Sequence, residues 1–230
     1  MHARIFPLLV RLFDFFTIAF SALFPVVNPL GSAMLFLGLA GPADAIVYKR
    51  LARKIALYTA LFLIVVDLAG ALLLTFFGIS LPVIQVAGGL VLASMGWKLL
   101  NQPDAPDLTQ STGRSNSLQE LDSKVFYPFT FPLTAGPGCV VVTLTLAAHA
   151  EQPTSVDSIF SQMGLFLAIV ALCLMVYFAY GYAPALARKV SPQTIHGILR
   201  IISFILLAIG IQIFWRGAEA LLQQALHIHP

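Results

Sequence analysis

Long apolar runs, rather than a short alternation of apolar and polar positions, organise this chain. Six stretches qualify as spans: residues 12–39, 55–77, 81–100, 125–148, 159–182 and 196–215. Each supplies the ~20 apolar residues a helix needs to cross roughly 30 Å of hydrocarbon. Gly78-Ile79-Ser80 is so short a connection that spans two and three form an antiparallel hairpin. Residues 102–124, rich in Ser, Thr, Asn and Gln with charges of both signs, read as a linker. The first apolar run begins near Phe13 and continues past Gly38 with no small-residue cleavage site after a short core, so it reads as a retained span.

Composition identifies the solvent. The chain is 59% hydrophobic and only 10% charged, against about 25% charged residues in a soluble domain. Its outer surface therefore faces lipid. A net charge of +3 raises the question of nucleic acid, but the Lys and Arg residues lie scattered through loops and form no stripe that could track phosphates. They fit membrane topology instead. Lys49, Arg50, Arg53, Lys54, Lys98, Arg114, Lys124, Arg188, Lys189 and Arg200 fall on one side, and only Arg4, Arg11 and Arg216 on the other. The positive side is cytoplasmic, which puts both termini in the periplasm of a bacterial inner membrane. Arg200, about one turn inside span six, reaches the headgroups by snorkelling.

Two runs carry the chemistry. Span one contains Phe24-Pro25-Val26-Val27-Asn28-Pro29-Leu30-Gly31, and span four contains Phe131-Pro132-Leu133-Thr134-Ala135-Gly136-Pro137-Gly138. Both open on Phe-Pro, carry a second proline and close on glycine seven residues after the Phe. They occupy the same place in two halves of three spans, and an odd number of spans per half makes the halves inverted repeats. Gly96 and Gly210, each two residues after a small one (Ser94 and Ala208), add a weaker match. The expected fold is thus all-α: six transmembrane helices as two inverted three-helix repeats, residues 12–100 and 125–222, joined by linker 101–124, with helices 1 and 4 broken near midplane.

Proline removes an N–H and clashes with the carbonyl four residues back, at a cost of about 3 kcal/mol inside a helix. It also biases Phe24, Asn28, Phe131 and Gly136 toward extended backbone. Asn28 and Gly136 then serve as N-caps, with Pro29 and Pro137 opening new half-helices. Amides at Leu30, Gly31, Ser32, Gly138 and Cys139 would present a partial positive charge suited to a carboxylate. Asn28, Pro29, Leu30, Gly31, Ser32, Thr134, Ala135, Gly136, Pro137 and Gly138 are therefore the expected substrate-binding residues, with Asn28 and Thr134 giving the polar contacts. The glycines would let a ligand approach the backbone.

The Asn28-Pro29-Leu30-Gly31 run, the Pro132–Gly138 run, and the Phe77-Gly78-Ile79-Ser80 turn leading to Ala87-Gly88-Gly89-Leu90 resemble the MarC family of inner-membrane proteins. The resemblance spans both halves. It implies six helices and a transporter-like site, since families of this type include small neutral amino-acid transporters.

Asp67, within the apolar core of span two, is expensive there and must face the interior or a wet cavity. It is the expected coupling residue, for H⁺ or Na⁺, and an expected partner for a substrate ammonium group. Gly88, Gly89, Ala93 and Gly96 allow close helix packing. Tyr177 and Tyr180 read as interfacial belt residues, with cavity lining the alternative, and Asp14 as interfacial. Cys139 and Cys173 lie in apolar runs as small apolar residues. The five histidines are unclustered, and the chain offers neither metal site, cofactor motif nor paired catalytic groups. The expected function is secondary transport of a small neutral amino acid or similar zwitterion by alternating access. The alternatives are a structural subunit of a membrane complex and an exporter of another small solute; an enzyme is not expected.

Overall fold

The computed structural model describes residues 2–101, 118–150, 155–189 and 191–227, all helical or in short connections. Helix α1 (His2–Val27) meets α2 (Pro29–Ala40) at Asn28. Proline opens α2 and the N–H of Gly41 (φ 70°) closes it on Leu37 O, as expected of a glycine stop. Helix α3 (Ala45–Phe76) hairpins through Gly78 (φ 66°) into α4 (Leu81–Leu100). That left-handed conformation is why the tight turn uses glycine. Then come the short α5 (Leu118–Ser123), a wide-turn segment Val125–Thr134, α6 (Pro137–Ala150), α7 (Ser155–Gly181), α8 (Ala183–Lys189) and the long α9 (Pro192–His227).

Among the described residues five helical runs are long and apolar enough to cross a bilayer, and the bent pair Val125–Thr134 and Pro137–Ala150 gives a sixth if it is one span. The outer face of α3 identifies the solvent: Leu57, Leu61, Val65, Leu68, Leu72 and Phe76 recur at helical spacing and all are exposed. A stripe of that kind is stable only against lipid. Most of the expected linker, residues 102–117, lies outside the described residues. Its tail is α5, a packed helix with Leu121 buried.

The longest interface runs between α4 and α9, and α7 packs against both α1 and α3. Glycine makes the α4–α9 contact close. A Cβ on Gly96 would meet Leu207 N at 2.5 Å, Leu207 Cα at 2.8 Å and Ser203 O at 2.9 Å, while one on Gly210 would meet Ala93 N, Ala93 Cα at 2.9 Å and Gly89 O at 2.9 Å. Gly89 likewise faces Phe214 backbone, and Gly88 faces Val141 of α6. The small residues of span three thus pack helices closely, as their pattern predicted.

At the ends of the bundle, ion pairs tie neighbouring elements. Arg11 of α1 reaches Asp157 of α7 at 3.0 Å, and Arg50 and Lys54 of α3 hold Asp122 of α5 at 2.8 and 2.9 Å.

Candidate membrane-embedded functional site

The two proline motifs interrupt their helices in different ways. Asn28 is left-handed (φ 45°, ψ 63°), not extended as its place before proline suggested; asparagine is among the few residues that adopt this region readily. Its side-chain Oδ1 accepts from Gly31 N (3.1 Å) and its carbonyl from Ser32 N (2.9 Å), and its own N–H still reaches Phe24 O at 2.9 Å. The perturbation is confined to one residue, and Phe24 remains helical.

In the second motif Tyr127 (φ −122°, ψ 123°) and Phe131 (φ −118°, ψ 128°) are extended, as the residues before Pro128 and Pro132 must be. Amides therefore reach five residues back, Phe129 N to Lys124 O and Ala135 N to Thr130 O. The Tyr127–Pro128 and Phe131–Pro132 peptides are cis. The segment then bends by 64° into α6. Sequence pattern made the motifs look alike; their backbones are not.

Several of the expected free amides are already engaged. Gly31 N and Ser32 N are capped by Asn28, and Cys139 N bonds Gly136 O at 3.0 Å. The space before two of the glycines is also filled. A Cβ on Gly31 would strike the Asn28 side chain and come within 2.8 Å of Leu199 Cδ2; one on Gly138 would strike Leu92 and lie 3.2 Å from Val26 Cγ1. Gly136 differs, since only Pro132 O, at 3.1 Å, stands in front of it. Pro29, Gly31, Ser32, Thr134, Ala135, Gly136 and Gly138 are buried, Asn28 and Leu30 half-buried and Pro137 exposed.

The motifs nevertheless meet, through a residue the sequence pattern assigned elsewhere. Thr134 Oγ1 lies 2.7 Å from the Tyr180 hydroxyl and donates to Phe129 O at 2.6 Å. The Ser32 side chain lies beside the same tyrosine hydroxyl, with its own Oγ donating to Asn28 O at 2.7 Å. Tyr180 is fully buried, so it is not an interfacial belt residue. Its hydroxyl holds Thr134 of the second motif beside Ser32 of the first, an interior position in line with the alternative cavity-lining reading.

Asp67 stands apart. Its Oδ2 accepts a hydrogen bond from Gln162 Nε2 of α7, and its buried Oδ1 has no hydrogen-bond partner among the described residues. Along α7, Tyr180 lies eighteen residues beyond Gln162, which is about 27 Å of helix rise. Asp67 and the hydroxyl cluster therefore cannot hold the two ends of one small molecule, contrary to the expectation that Asp67 would pair with a substrate ammonium group.

Comparison with known proteins places this geometry. Residues 13–222 match the model of the MarC family integral membrane proteins. The chain belongs to the MarC family. It is 28% identical to the inner membrane protein MarC of Escherichia coli K12 and to that of Shigella flexneri, in each case over 91% of this chain and 96% of the relative. No solved structure matches the chain. Membership and the apolar helices together make it a multi-pass integral membrane protein, and both proline motifs fall inside the span that defines MarC.

Proposed function

We propose that this member of the MarC family is a secondary transporter of a small neutral amino acid or similar zwitterion, working by alternating access in the bacterial inner membrane. The observation that carries the reading is the Ser32–Tyr180–Thr134 cluster. In it, side chains from two helix starts in opposite halves converge on one buried hydroxyl, and neither motif contributes Lys or Arg. Helix starts favour a carboxylate and adjacent carbonyls an ammonium group, the recurring arrangement in transporters with interrupted helices.

Inverted repeats are part of the proposal. Their support is the α4–α9 interface, where Gly96 and Gly210 meet equivalent atoms with the helices exchanged. An interface of that symmetry suits rocking of one half against the other. Asn28, Pro29, Leu30, Gly31, Ser32, Thr134, Ala135, Gly136, Pro137 and Gly138 remain the proposed ligand region, with Gly136 as the point of closest backbone approach. Asp67 is the proposed H⁺ or Na⁺ coupling residue, acting on the cluster through α7 rather than by touching the solute. Positive loops facing the cytoplasm and periplasmic termini complete the reading.

The test is counterflow in proteoliposomes with a panel of labelled amino acids. Exchange of small neutral members above that of protein-free vesicles is expected. Exchange of none of them, with a stoichiometric partner co-purifying, would replace the reading with that of a structural subunit.

A further inference from the structure

A chain of ring contacts links the hydroxyl site to an open cavity. Phe36 of α2 stacks on the Tyr180 ring at 4.7 Å between centroids and meets Phe129 (5.1 Å) and Tyr48 (5.9 Å) edge-on. All four rings are buried, and they come from four elements: α2, α3, the wide-turn segment and α7. On one side of this cluster the Tyr180 hydroxyl holds Thr134. At Tyr48 the cluster reaches a cavity of about 410 Å³ whose lining includes Leu37, Gly41, Ala43, Tyr48, Pro184 and Arg188. Tyr48 belongs to both, lining the cavity while its hydroxyl donates to Gly41 O at the end of α2.

We propose that Phe36, Tyr48, Phe129 and Tyr180 are the closed gate between this cavity and the Ser32–Thr134–Tyr180 hydroxyls, and that the cavity is the vestibule through which a small zwitterion reaches them. The inference rests on the transporter reading. Rings from four separate elements lose their mutual contacts when the elements shift, whereas one helix side chain would move with its own helix. Phe36 sits one turn beyond Ser32 on α2, so a rotation of α2 that frees Ser32 from Tyr180 also unstacks Phe36. Binding at the hydroxyls and opening toward the vestibule are thereby coupled. The cavity volume lies within the range of small-molecule pockets and admits a solute of amino-acid size.

A native thiol reports on the gate. Cys139 is buried at the hydroxyl site, with Sγ 3.9 Å from Thr134 O, and does not line the cavity. In a Cys173→Ala chain it is the one remaining cysteine. The experiment follows its reaction with a membrane-impermeant cationic methanethiosulfonate added to either side of sealed vesicles. Ala43→Cys in a chain lacking both native cysteines identifies the cavity side. Phe36→Ala should speed Cys139 labelling by about tenfold or more, the population shift expected from losing three ring contacts, and only from the side that labels Ala43→Cys. Phe36→Leu, which keeps most of the core volume, should give a smaller increase from the same side. The proposal is overturned if Cys139 in folded Phe36→Leu and Phe129→Ala proteins stays as protected as in the parent, or labels from the opposite side. Labelling requires no solute, so counterflow can fail while gating holds, and the two readings fall separately.

Discussion

Gly96 of α4 and Gly210 of α9 are packed alike, each against a backbone N and Cα of the other helix and a carbonyl oxygen one turn away. The 114 positions between them also separate their neighbours: Leu207 from Ala93 and Ser203 from Gly89. One register therefore relates the two helices across their interface. A methyl group at either position meets main chain, which cannot move aside as a side-chain tip can. Gly96→Ala and Gly210→Ala should each destabilise by about 1–3 kcal/mol and by similar amounts. Gly197, with nothing within 4 Å of an added Cβ, is the control. Gly197→Ala should be neutral or stabilising by about 0.4–1 kcal/mol. Thermal unfolding in detergent compares the three, and a large inequality between Gly96 and Gly210 would break the proposed symmetry.

Much of this architecture was legible in the sequence. The span at Leu81–Leu100 coincides with α4, and the hairpin turns at Gly78 as its length required. Apolar runs report burial in lipid directly, so the spans were readable. The form of the motif breaks was not. Proline announces that a backbone will deviate, but whether Asn28 turns left-handed or Phe131 extended depends on which side chains fill the space around it. Tyr180 was left between belt and cavity because position along a span says nothing about which face it occupies.

The hydroxyl bridge predicts a functional loss larger than its structural one. Tyr180→Phe removes one buried hydrogen-bonding group, while Thr134 keeps Phe129 O and Ser32 keeps Asn28 O. Stability should fall by about 1 kcal/mol, whereas solute exchange in the counterflow assay should fall by roughly tenfold, equivalent to about 1.4 kcal/mol. Exchange unchanged in Tyr180→Phe would remove the cluster from the transport site.

Asp122 gives a pH prediction outside the bilayer. The hydrogen bond from Lys54, then the charges of Lys54 and Arg50, hold its carboxyl below the usual carboxylate range. A depressed folded value means the contribution is complete above the unfolded value near 4. It is lost as pH falls through the folded one. The pair partners are partly exposed, so the contribution is about 0–1 kcal/mol. Acidification from about pH 6 to pH 3 should therefore lower the melting temperature of the parent slightly more than that of Asp122→Asn. Equal slopes would show that α5 is not held to α3 by this carboxylate.

For Asp67 the separation from the hydroxyl cluster sharpens the expectation. Asp67→Asn keeps a side chain able to bond Gln162 but removes the ionisable carboxyl. If Asp67 couples ion movement to transport through α7, the variant should lose accumulation driven by a pH or Na⁺ gradient. Solute exchange at zero gradient should persist, because the cluster is about 27 Å away along α7. Gradient-driven uptake equal to that of the parent would leave Asp67 a structural partner of Gln162.

Selectivity tests the ligand itself. With no Lys or Arg in either motif, a second negative charge would enter a poorly hydrated site unpaired, at a cost of several kcal/mol. Glycine, alanine and serine should raise the melting temperature in detergent, and glutamate should not. Gly136 then separates binding from folding. Its front is open except for Pro132 O at 3.1 Å, so Gly136→Ala should weaken ligand stabilisation by about tenfold (~1.4 kcal/mol) with little loss in the unliganded melting temperature. Gly138→Val, whose added carbons collide with Leu92 and Val26, should instead destabilise the unliganded protein by about 1–3 kcal/mol. A Gly136→Ala protein that binds alanine as the parent does would place the ligand away from this backbone, and preference for glutamate would mean a cation outside the motifs completes the site.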